Sequence, residues 1–476
     1  MGRYRTAGSL QITAPPFDPR CMMNTPEPQE VLKSNDEEIR RLLEQAKVKI
    51  EDYFPLTSIT KLDLSNCNLS TLPTGFSEAL PNLSILFASK NRFGEMPAEI
   101  GRCQKLQMVA FKENGMETIH PDALQPQLRW LILTDNKLQK LPEEIGRCTL
   151  LQKFMLSGNL LVELPESIGN CKNLELIRLA SNNLKEPPTT LLQLPKLSWV
   201  ALSDNPFLEN AASSSHGSSS NSNTDSISTA VMEPLPILEG IDDLPGEELG
   251  RGAGGVTRRV QWGGRPVAVK TYNGVITSDG LPEQERILSC AASALQSDCL
   301  IKVIGESAAG SLVMEYLDNY RALADPPNFV TCSRDVYPDK GSPRFIWEHA
   351  ELLVTGLLEA LHKLHATGIC HGDFYGHNIL LDRDNYAQVK LSDFGAAFFY
   401  DRGAEYGKQL ERCELRAFAC LVEEVDGLLL DEDSTGLLKE MAAACRLDAS
   451  TFDTVHIWWK QKQLQGLAEA FGADAF

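Results

Sequence analysis

Two short stretches of the sequence place acidic and amide side chains at spacings that suit metal-assisted chemistry. Residues 369–382 read ICHGDFYGHNILLD and contain Asp373, followed five positions later by Asn378. Residues 391–395 read LSDFG and contribute Asp393. Carboxylate and amide oxygens are the ligands that Mg²⁺ prefers, and a further carboxylate can accept or orient a hydroxyl proton. The two stretches therefore indicate metal-assisted chemistry.

A glycine-rich loop and a strand lysine lie upstream and could bind phosphate groups. Residues 249–257 read LGRGAGGVT, with Gly250, Gly252 and Gly255 in G-x-G-x-x-G spacing. Such a loop brings backbone N–H groups close to phosphates, but glycine-rich loops are common and this motif alone is weak evidence. The apolar segment RPVAVKTY predicts a strand that carries Lys270, 18 residues after Gly252. A lysine there can pair with phosphate or can simply be a solvated strand edge.

The order of these motifs resembles that of the protein kinase family over about residues 233–476. Between the glycine loop and Asp373, the segment SLVMEYL (311–317) predicts a strand that leads into a hinge. The segment LLVTGLLEALHKLHATGI (352–369) predicts an amphipathic helix. Glycine loop, strand lysine, hinge, H-x-D-x-x-x-x-N and DFG follow one another as in that family. The resemblance implies a two-lobed α+β protein kinase fold.

The resemblance implies transfer of the γ-phosphoryl group of ATP, with Mg²⁺, to a hydroxyl group of a protein substrate. Asp373 would accept or orient the substrate hydroxyl, while Asn378 and Asp393 would hold Mg²⁺. The resemblance thus assigns residues 371–378, here called the catalytic stretch, and residues 391–395, here called the DFG stretch, to one reaction.

Lys270 would pair with the α- and β-phosphates, and the resemblance implies that a helix glutamate is its partner. Two candidates lie in LPEQERILSC (281–290). Glu285 is preferred because it comes just before the apolar run, and Glu283 is the second choice.

The resemblance also implies an adenine pocket. Met314 would guard this pocket, and the backbones of Glu315 and Leu317 would bind the base. Ala268 and Leu380 would hold the base between them. The implied ATP contacts are Leu249, Gly250, Arg251, Gly252, Gly255, Thr257, Ala268, Lys270, Met314, Glu315, Leu317 and Leu380.

Several positions depart from the family pattern. Gly372 replaces the arginine of HRD, Tyr375 stands where serine/threonine kinases usually have lysine, and His377 stands where many tyrosine kinases have arginine. No APE follows DFG, and its usual arginine partner is not evident near CRLDASTF. These departures concern the protein substrate and regulation, whereas the groups that would touch Mg-ATP are present. The sequence predicts an active kinase, serine/threonine-specific by family analogy, with a pseudokinase scaffold as the alternative.

The segment that follows DFG is short. It reads AAFFYDRGAEYGKQLERC and contains no serine or threonine, so only Tyr400 and Tyr406 could be phosphorylated there. The next core helix is expected about twenty residues after Asp393, from the apolar run CELRAFACLVEEV. A kinase that is competent without phosphorylation of this segment is the hypothesis that these residues favour.

The first half of the chain repeats the pattern LxxLxLxxNxLxxLP, as in residues 128–142, 151–165 and 174–188. The residues at the asparagine position are Cys67, Asn91, Asn114, Asn136, Asn159, Asn182 and Asn205, at spacings of 22 to 24. The pattern resembles that of leucine-rich repeats and implies an α/β solenoid of seven repeats over residues 55–209. One repeat cannot bury its own apolar face, so neighbouring repeats must stack.

Strand positions beside the inward leucines are expected on the concave side of this solenoid. They are unusually apolar for an open face, and an apolar patch usually marks an interface. A protein partner, the chain's own N-terminal arm or its second domain could cover the patch. The predicted partner-binding residues are Ile85, Phe87, Met108, Trp130, Ile132, Met155, Leu176 and Trp199.

The remaining features bound the organisation and the partners. The chain of 476 residues has a formal net charge of −19, which argues against nucleic acid and anionic membranes as partners. It has no apolar run of membrane-spanning length and no CxxC pair, so we expect a cytoplasmic protein without a zinc site. The expected domains are an N-terminal extension with a capping helix (1–54), the repeats (55–209), a Ser/Asn-rich flexible linker (210–232) and the kinase domain (233–476).

Overall fold

A computed structural model of the chain describes residues 56–73, 75–208, 235–252, 254–338, 341–430 and 436–471. Within these residues the chain forms two compact units, 56–208 with 276–280, and 235–275 with 281–471. The expected N-terminal capping helix and the Ser/Asn-rich linker lie outside the described residues. Among the helices that are described, none combines the length and the apolar character needed to span a membrane.

The repeat unit is built on one sheet of seven parallel three-residue strands that follow one another in chain order. These strands are β1 (Lys61–Asp63), β2 (Ile85–Phe87), β4 (Met108–Ala110), β6 (Trp130–Ile132), β7 (Lys153–Met155), β8 (Leu176–Arg178) and β9 (Trp199–Ala201). Two further strands, β3 (Glu95–Met96) and β5 (Thr118–Ile119), pair with each other. Short helical turns return each repeat to the next strand: Leu56–Ser58, α1 (Phe76–Ala79), Ala98–Arg102, Pro121–Ala123, Glu143–Arg147, Glu166–Asn170 and α2 (Thr189–Leu192). The central residues of these strands are apolar and buried, as the repeat pattern predicts: Leu62, Leu86, Val109, Leu131, Phe154, Ile177 and Val200.

Inward asparagines tie the repeats together. The Oδ1 atom of Asn136 accepts hydrogen bonds from the backbone N–H groups of Asn114 (3.1 Å) and Met116 (3.0 Å). Its Nδ2 atom donates to the carbonyls of Phe111 and Leu133, both at 2.9 Å. The side chain thus satisfies backbone groups that the end of each strand would otherwise leave unpaired inside the core. This is the physical reason for an asparagine at this position of the repeat.

The strand rows expected on the concave side run in register across the sheet. Trp130 pairs with Met108 on one side and Lys153 on the other, and Leu176 pairs with Trp199. The sequence suggests an open face, but Trp130 is only 5% exposed and Trp199 only 2%. Phe87, Met108 and Leu176 are also buried, while Ile85, Ile132 and Met155 are half-buried. Contact of this face with a separate protein stays a prediction.

The other unit begins with a five-stranded antiparallel sheet in the order β10-β11-β12-β14-β13. Its strands are β10 (Gly246–Arg251), β11 (Gly255–Trp262), β12 (Arg265–Tyr272), β13 (Val303–Glu306) and β14 (Leu312–Glu315), and helix α3 (Pro282–Ala294) lies between β12 and β13 in the chain. A helical part follows, with α4 (Trp347–Ala366), α5 (Glu405–Asp426), α6 (Leu437–Cys445) and α7 (Phe452–Phe471). Two small sheets lie in that part: β15 (Tyr320–Ala322) with β17 (Ile379–Asp382) and β18 (Val389–Leu391), and β16 (Ile369–Cys370) with β19 (Phe398–Phe399). The stretch with Asp373 and Asn378 connects β16 to β17.

Helix α4 forms the centre of the helical part because one of its stripes is entirely apolar. Leu353, Leu357, Leu361 and Leu364 recur at intervals of three or four residues and are 0% exposed. Each such burial stabilises the fold by roughly 1.5–3 kcal/mol. The helix begins five residues before the segment predicted from sequence and ends three residues earlier.

Helix α5 begins at Glu405, twelve residues after Asp393, so the expected start near the apolar run from Cys413 is wrong. The first turns of α5 carry mostly polar residues, with Tyr406 and Leu410 as exceptions, and give only a weak apolar signal. They are fixed instead by a close backbone approach, since a Cβ atom on Gly407 would lie 2.2 Å from the carbonyl oxygen of Asp401. Only glycine fits at that position of the helix.

We predict that Asn136→Ala destabilises the repeats by about 2–4 kcal/mol, because it leaves buried N–H and C=O groups without partners. Thermal unfolding of the full chain, followed by tryptophan fluorescence, measures the loss. Cys67→Ala at the same position of the first repeat is the matched control, since Cys67 is half-buried and its Sγ atom contacts the Ser65 carbonyl at 3.6 Å. Equal losses from both variants would contradict a special role for the asparagines.

Candidate active site

An ion pair joins the strand lysine to helix α3. Lys270 lies in the middle of the sheet, opposite Thr257 on β11 and Leu312 on β14. Its ammonium group contacts the carboxylate of Glu285, and the two side chains are 19% and 9% exposed. The alternative partner, Glu283, instead lies 3.8 Å from the guanidinium of Arg286. The structure therefore brings Lys270 together with the glutamate that the sequence favours.

The catalytic stretch is closed by an amide–carboxylate hydrogen bond. The Nδ2 atom of Asn378 donates to the Asp373 Oδ2 atom at 2.8 Å and to the Asp373 carbonyl at 2.9 Å. The backbone carbonyl of Asn378 accepts from the N–H of Ser392 at 3.0 Å, which connects this stretch to the DFG stretch. Because the amide nitrogen is used in this way, the amide oxygen is the atom that is left for a ligand.

The buried rings of His371 and Phe394 pack against each other and connect the catalytic stretch to the DFG stretch. The His371 ring is 0% exposed and lies 4.8 Å from the Phe394 ring. Its Nε2 atom is 3.1 Å from the Ser392 carbonyl, and its Nδ1 atom accepts from the N–H of Asp373 at 3.3 Å. Both bonds are made by the tautomer that carries its proton on Nε2. The ring therefore holds the catalytic stretch and the DFG stretch at a fixed separation.

Asp393 has a backbone conformation that non-glycine residues rarely adopt. Its φ angle is 60°, in the left-handed region, where strain is typical of functional sites. The neighbouring Phe394 is fully buried and fixes this turn to the core, whereas Asp393 is exposed and its carboxylate faces solvent. Carboxylate and amide oxygens, which Asp393 and Asn378 carry, are ligands that suit a hard divalent cation. The residues present therefore fit Mg²⁺.

A buried glutamate that the sequence analysis missed holds the start of the catalytic stretch. Glu414 of α5 is 1% exposed and accepts from the backbone N–H groups of Gly372 (2.7 Å) and His371 (3.0 Å). The ring of His365 lies 2.6 Å from the same carboxylate and 2.6 Å from the hydroxyl of Tyr400. Burial alone would raise the pKa of the Glu414 carboxyl, but the hydrogen bond and charge of His365 hold it below its usual value. Gly372 itself is left-handed, with φ of 73°, which glycine adopts without strain.

A second missed carboxylate, Asp335, holds the end of the same stretch. It accepts from the backbone N–H groups of Gly376 (2.5 Å) and His377 (3.3 Å) and from the His377 Nδ1 atom (2.7 Å). Burial alone would lower the pKa of His377, but the hydrogen bond and charge of Asp335, with the charges of Asp373 and Asp393, raise it above its usual value. Asp335 comes from the segment PPNFVTCSRDVYP (326–338), and no local pattern ties it to the catalytic stretch.

The glycine loop forms a tight hairpin between β10 and β11, where the N–H of Gly252 donates to the Gly255 carbonyl at 3.0 Å. Gly255 is required by packing, because a Cβ atom there would lie 2.2 Å from the carbonyl oxygen of Thr271. Arg251 is exposed and its guanidinium pairs with Glu248 at 2.7 Å.

The residues expected around adenine are distributed over both parts of this unit. Ala268 is paired with Met314 across β12 and β14, and Ala268, Leu249 and Leu380 are buried. The N–H of Glu315 already donates to the Lys302 carbonyl at 2.9 Å, which leaves only its carbonyl for a base. Leu317 is half-buried.

Comparisons with known proteins identify a domain family in each half of the chain. A family model described as the protein kinase domain matches residues 245–417, and one described as the leucine-rich repeat matches residues 58–79. The Arabidopsis thaliana protein "Probable L-type lectin-domain containing receptor kinase S.5" is 32% identical over 157 residues, which are 32% of this chain and 22% of that protein. A "Probable serine/threonine-protein kinase" of Dictyostelium discoideum is 28% identical over 158 residues, 33% of this chain and 10% of that protein. The chain thus spans less than a quarter of the length of these curated relatives.

Among solved structures, a leucine-rich repeat protein of Leptospira interrogans is 32% identical, covers 33% of this chain and 40% of its own, and has a TM-score of 0.30. The two family models carry the assignment. The chain contains leucine-rich repeats followed by a protein kinase domain, and the fold class predicted from the sequence is confirmed.

A half-buried glutamate near the candidate active site, Glu424, predicts a pH-dependent stability. Burial, and then the charge of Asp335, raise the pKa of Glu424 to about 7. A raised carboxyl pKa means that the folded protein holds a proton that the unfolded chain has released, so stability falls as pH rises from about 4.5 to about 7. Glu424→Gln keeps an acceptor for the Tyr337 hydroxyl, which donates to Glu424 at 3.0 Å. We expect the variant to gain on the order of 2 kcal/mol over the wild type at pH 8, and little at pH 4.

Thermal unfolding midpoints of both proteins at several pH values test this expectation. Glu423→Gln is the matched control, because the neighbouring carboxylate is 43% exposed and also pairs with Arg334. A gain from Glu424→Gln that does not change between pH 4 and pH 8 would show that this carboxyl does not titrate abnormally.

Proposed function

We propose that the chain is an active protein kinase that transfers the γ-phosphoryl group of ATP to a serine or threonine hydroxyl of a protein. The observation that carries the proposal is the pairing of Lys270 with Glu285 in one part of the unit, together with the bond between Asp373 and Asn378 in the other. The kinase names of the relatives support the class of reaction. The serine/threonine preference follows the Dictyostelium relative, since neither Tyr375 nor His377 distinguishes the substrates.

Each side chain has a separate task in this reaction. Lys270, held in position by Glu285, would bind the phosphates of ATP through its ammonium group. Asp373 would accept a hydrogen bond from the substrate hydroxyl and orient its lone pair towards the phosphorus atom. Asn378 and Asp393 would hold Mg²⁺ through their oxygen atoms. The metal would supply positive charge beside the phosphate oxygens where negative charge develops.

The alternative function, a pseudokinase scaffold, rests on the missing HRD arginine and the missing APE motif. The geometry does not favour it, because the backbone around Gly372 is held by Glu414 and its left-handed conformation suits glycine. The groups that would touch Mg-ATP do not depend on an arginine at this position. We also propose that the protein works in the cytoplasm and that the repeat face binds a protein through its half-buried residues, Ile85, Ile132 and Met155.

We further propose that the kinase is competent without phosphorylation after DFG. Tyr400 is 5% exposed and its hydroxyl is 2.6 Å from His365, so it is not accessible in this fold. The hydroxyl of Tyr406 accepts from the N–H of Asp401 at 3.3 Å.

Phosphatase treatment of the purified chain tests this independence. We expect full transfer activity to remain after treatment, measured with labelled Mg-ATP and a generic acceptor such as casein. Loss of activity on treatment, with recovery after incubation with ATP, would show that a phosphate is required.

The two glutamates of α3 offer a matched test of the proposed reaction. Glu285→Gln removes the charge that holds Lys270, so we expect transfer to fall about 100-fold. Glu283→Gln removes only an ion pair at 3.8 Å from a carboxylate that is 75% exposed, and we expect activity within about twofold of the wild type. Lys270→Met and Asp393→Asn should each abolish transfer.

Initial rates with labelled Mg-ATP give these comparisons, with thermal unfolding as a check that each variant is folded. Wild-type turnover by folded Asp393→Asn protein would overturn the site assignment. Absence of transfer by the wild type, with ATP binding retained, would favour the scaffold.

A further inference from the structure

Asp335 belongs to a segment that none of the kinase motifs covers, and the fold fixes this segment against the catalytic stretch. Strand β15, just before it, pairs with β17, which begins immediately after Asn378. Asp325 and Val336 then exchange two backbone hydrogen bonds of 2.9 Å each. Asp335 therefore stands next to a residue whose position is set by backbone pairing.

The Asp335 carboxylate completes a turn that lacks a cap of its own. Residues Gly376–Asn378 form a short 3₁₀ turn, and the residue before it, Tyr375, makes no capping hydrogen bond with its side chain. The first N–H groups of such a turn have no partner within the turn. Asp335 accepts from two of them, at Gly376 and His377, and its side chain is 1% exposed. The capping side chain usually comes from the residue just before such a turn, whereas here Asp335 lies 41 residues away in the sequence.

Close packing on the same turn explains the glycine at position 376. A Cβ atom on Gly376 would lie 2.8 Å from the Tyr337 hydroxyl and 3.0 Å from the Asp335 Oδ2 atom. Tyr337 is held in turn by its hydrogen bond of 3.0 Å to Glu424 on α5, and Arg334 pairs with Glu423 at 3.0 Å. Residues 334–337 thus connect the turn to helix α5.

The position of this turn decides where Asn378 points. Asn378 is the last residue of the turn, and its amide group bonds to the carboxylate of Asp373 at 2.8 Å. If the turn loosens, the Asn378 oxygen and the Asp373 carboxylate lose their fixed relation. A displacement of about 1 Å at such a site can lower a rate by roughly 100-fold.

We propose that Asp335 is a positioning residue for phosphoryl transfer, which caps the turn 376–378 and thereby sets Asn378 and Asp373 for the metal and the substrate hydroxyl. This inference rests on the proposed kinase function. It makes a residue outside every recognised motif necessary for turnover. It also assigns a task to the segment 326–338.

The test compares Asp335→Ala with Asp335→Asn. Alanine removes all three acceptor contacts, so we expect kcat to fall at least tenfold and the required Mg²⁺ concentration to rise. The KM for ATP should stay within about twofold, because Lys270 and the glycine loop are untouched. Asparagine keeps an oxygen for the two backbone N–H groups, and we expect it to restore kcat to within about threefold of the wild type.

Asp382→Ala is the matched control. The Asp382 carboxylate also accepts from two backbone N–H groups, at Asp384 (2.8 Å) and Asn385 (3.0 Å), but in a turn outside the site. We expect this variant to keep the wild-type kcat. A second pair tests the packing: Gly376→Ala should lower kcat, and addition of Tyr337→Phe, which removes the hydroxyl at 2.8 Å, should restore part of it.

Binding of Mn²⁺ in the presence of ATP, measured by electron paramagnetic resonance, separates this proposal from the kinase proposal. One outcome is weaker Mn²⁺ binding by Asp335→Ala with no transfer by the wild type or any variant. It would overturn the proposed kinase reaction but support Asp335 as the residue that positions the metal ligands. Wild-type kcat and wild-type Mn²⁺ affinity in folded Asp335→Ala protein would overturn the role of Asp335. Asp335→Asn and Asp335→Ala could also lose the same amount of kcat and show the same fall in unfolding temperature. That result would show that Asp335 only stabilises the fold and does not position the site.

Discussion

The geometry of the candidate active site depends first on a buried carboxylate. Glu414 lies inside the helical part of the kinase unit, where an uncompensated charge would cost several kcal/mol. It is compensated by the N–H groups of His371 and Gly372 and by the ring of His365. Two of these three bonds, those from His371 and Gly372, fix the start of the catalytic stretch to helix α5. The requirement to satisfy one buried charge is thus also what makes this stretch rigid.

The catalytic stretch is held at both ends by carboxylates that are not themselves catalytic. Glu414 bonds to its first two residues, and Asp335 bonds to Gly376 and His377 near its last. Between these anchors, the bond from Asn378 to Asp373 closes the stretch on itself at 2.8 Å. Preorganisation of this kind matters for phosphoryl transfer, in which the protein aligns groups and neutralises charge and does little covalent chemistry.

The sequence predicts those parts of the fold and of the candidate site that follow from local patterns of residues. The lysine, the DFG stretch and the seven repeat registers each follow from spacing within a short segment, and Glu285 was preferred over Glu283 from its position before the apolar run. Glu414 and Asp335 could not be found in this way, since they act on backbone groups 42 and 41 residues away, and backbone groups carry no sequence signal. Burial of Trp130 and Trp199 was missed for a related reason: exposure depends on the whole chain, not on the strand.

Two departures from the kinase pattern have one physical explanation. They are the missing arginine at position 372 and the absence of serine and threonine from the segment after DFG. An arginine at position 372 would be useful beside a phosphate on the segment after DFG, because a phosphate gives a buried cation strong acceptors. Here Gly372 offers no cation, and the tyrosine nearest in sequence to DFG is already bonded: the Tyr400 hydroxyl contacts His365, which contacts Glu414. A phosphate on Tyr400 would have to break this network and would leave the Glu414 charge poorly compensated. Tyr400 has therefore become part of the anchor of the catalytic stretch, and the fold that holds the site in place leaves no room for a phosphate switch on that residue.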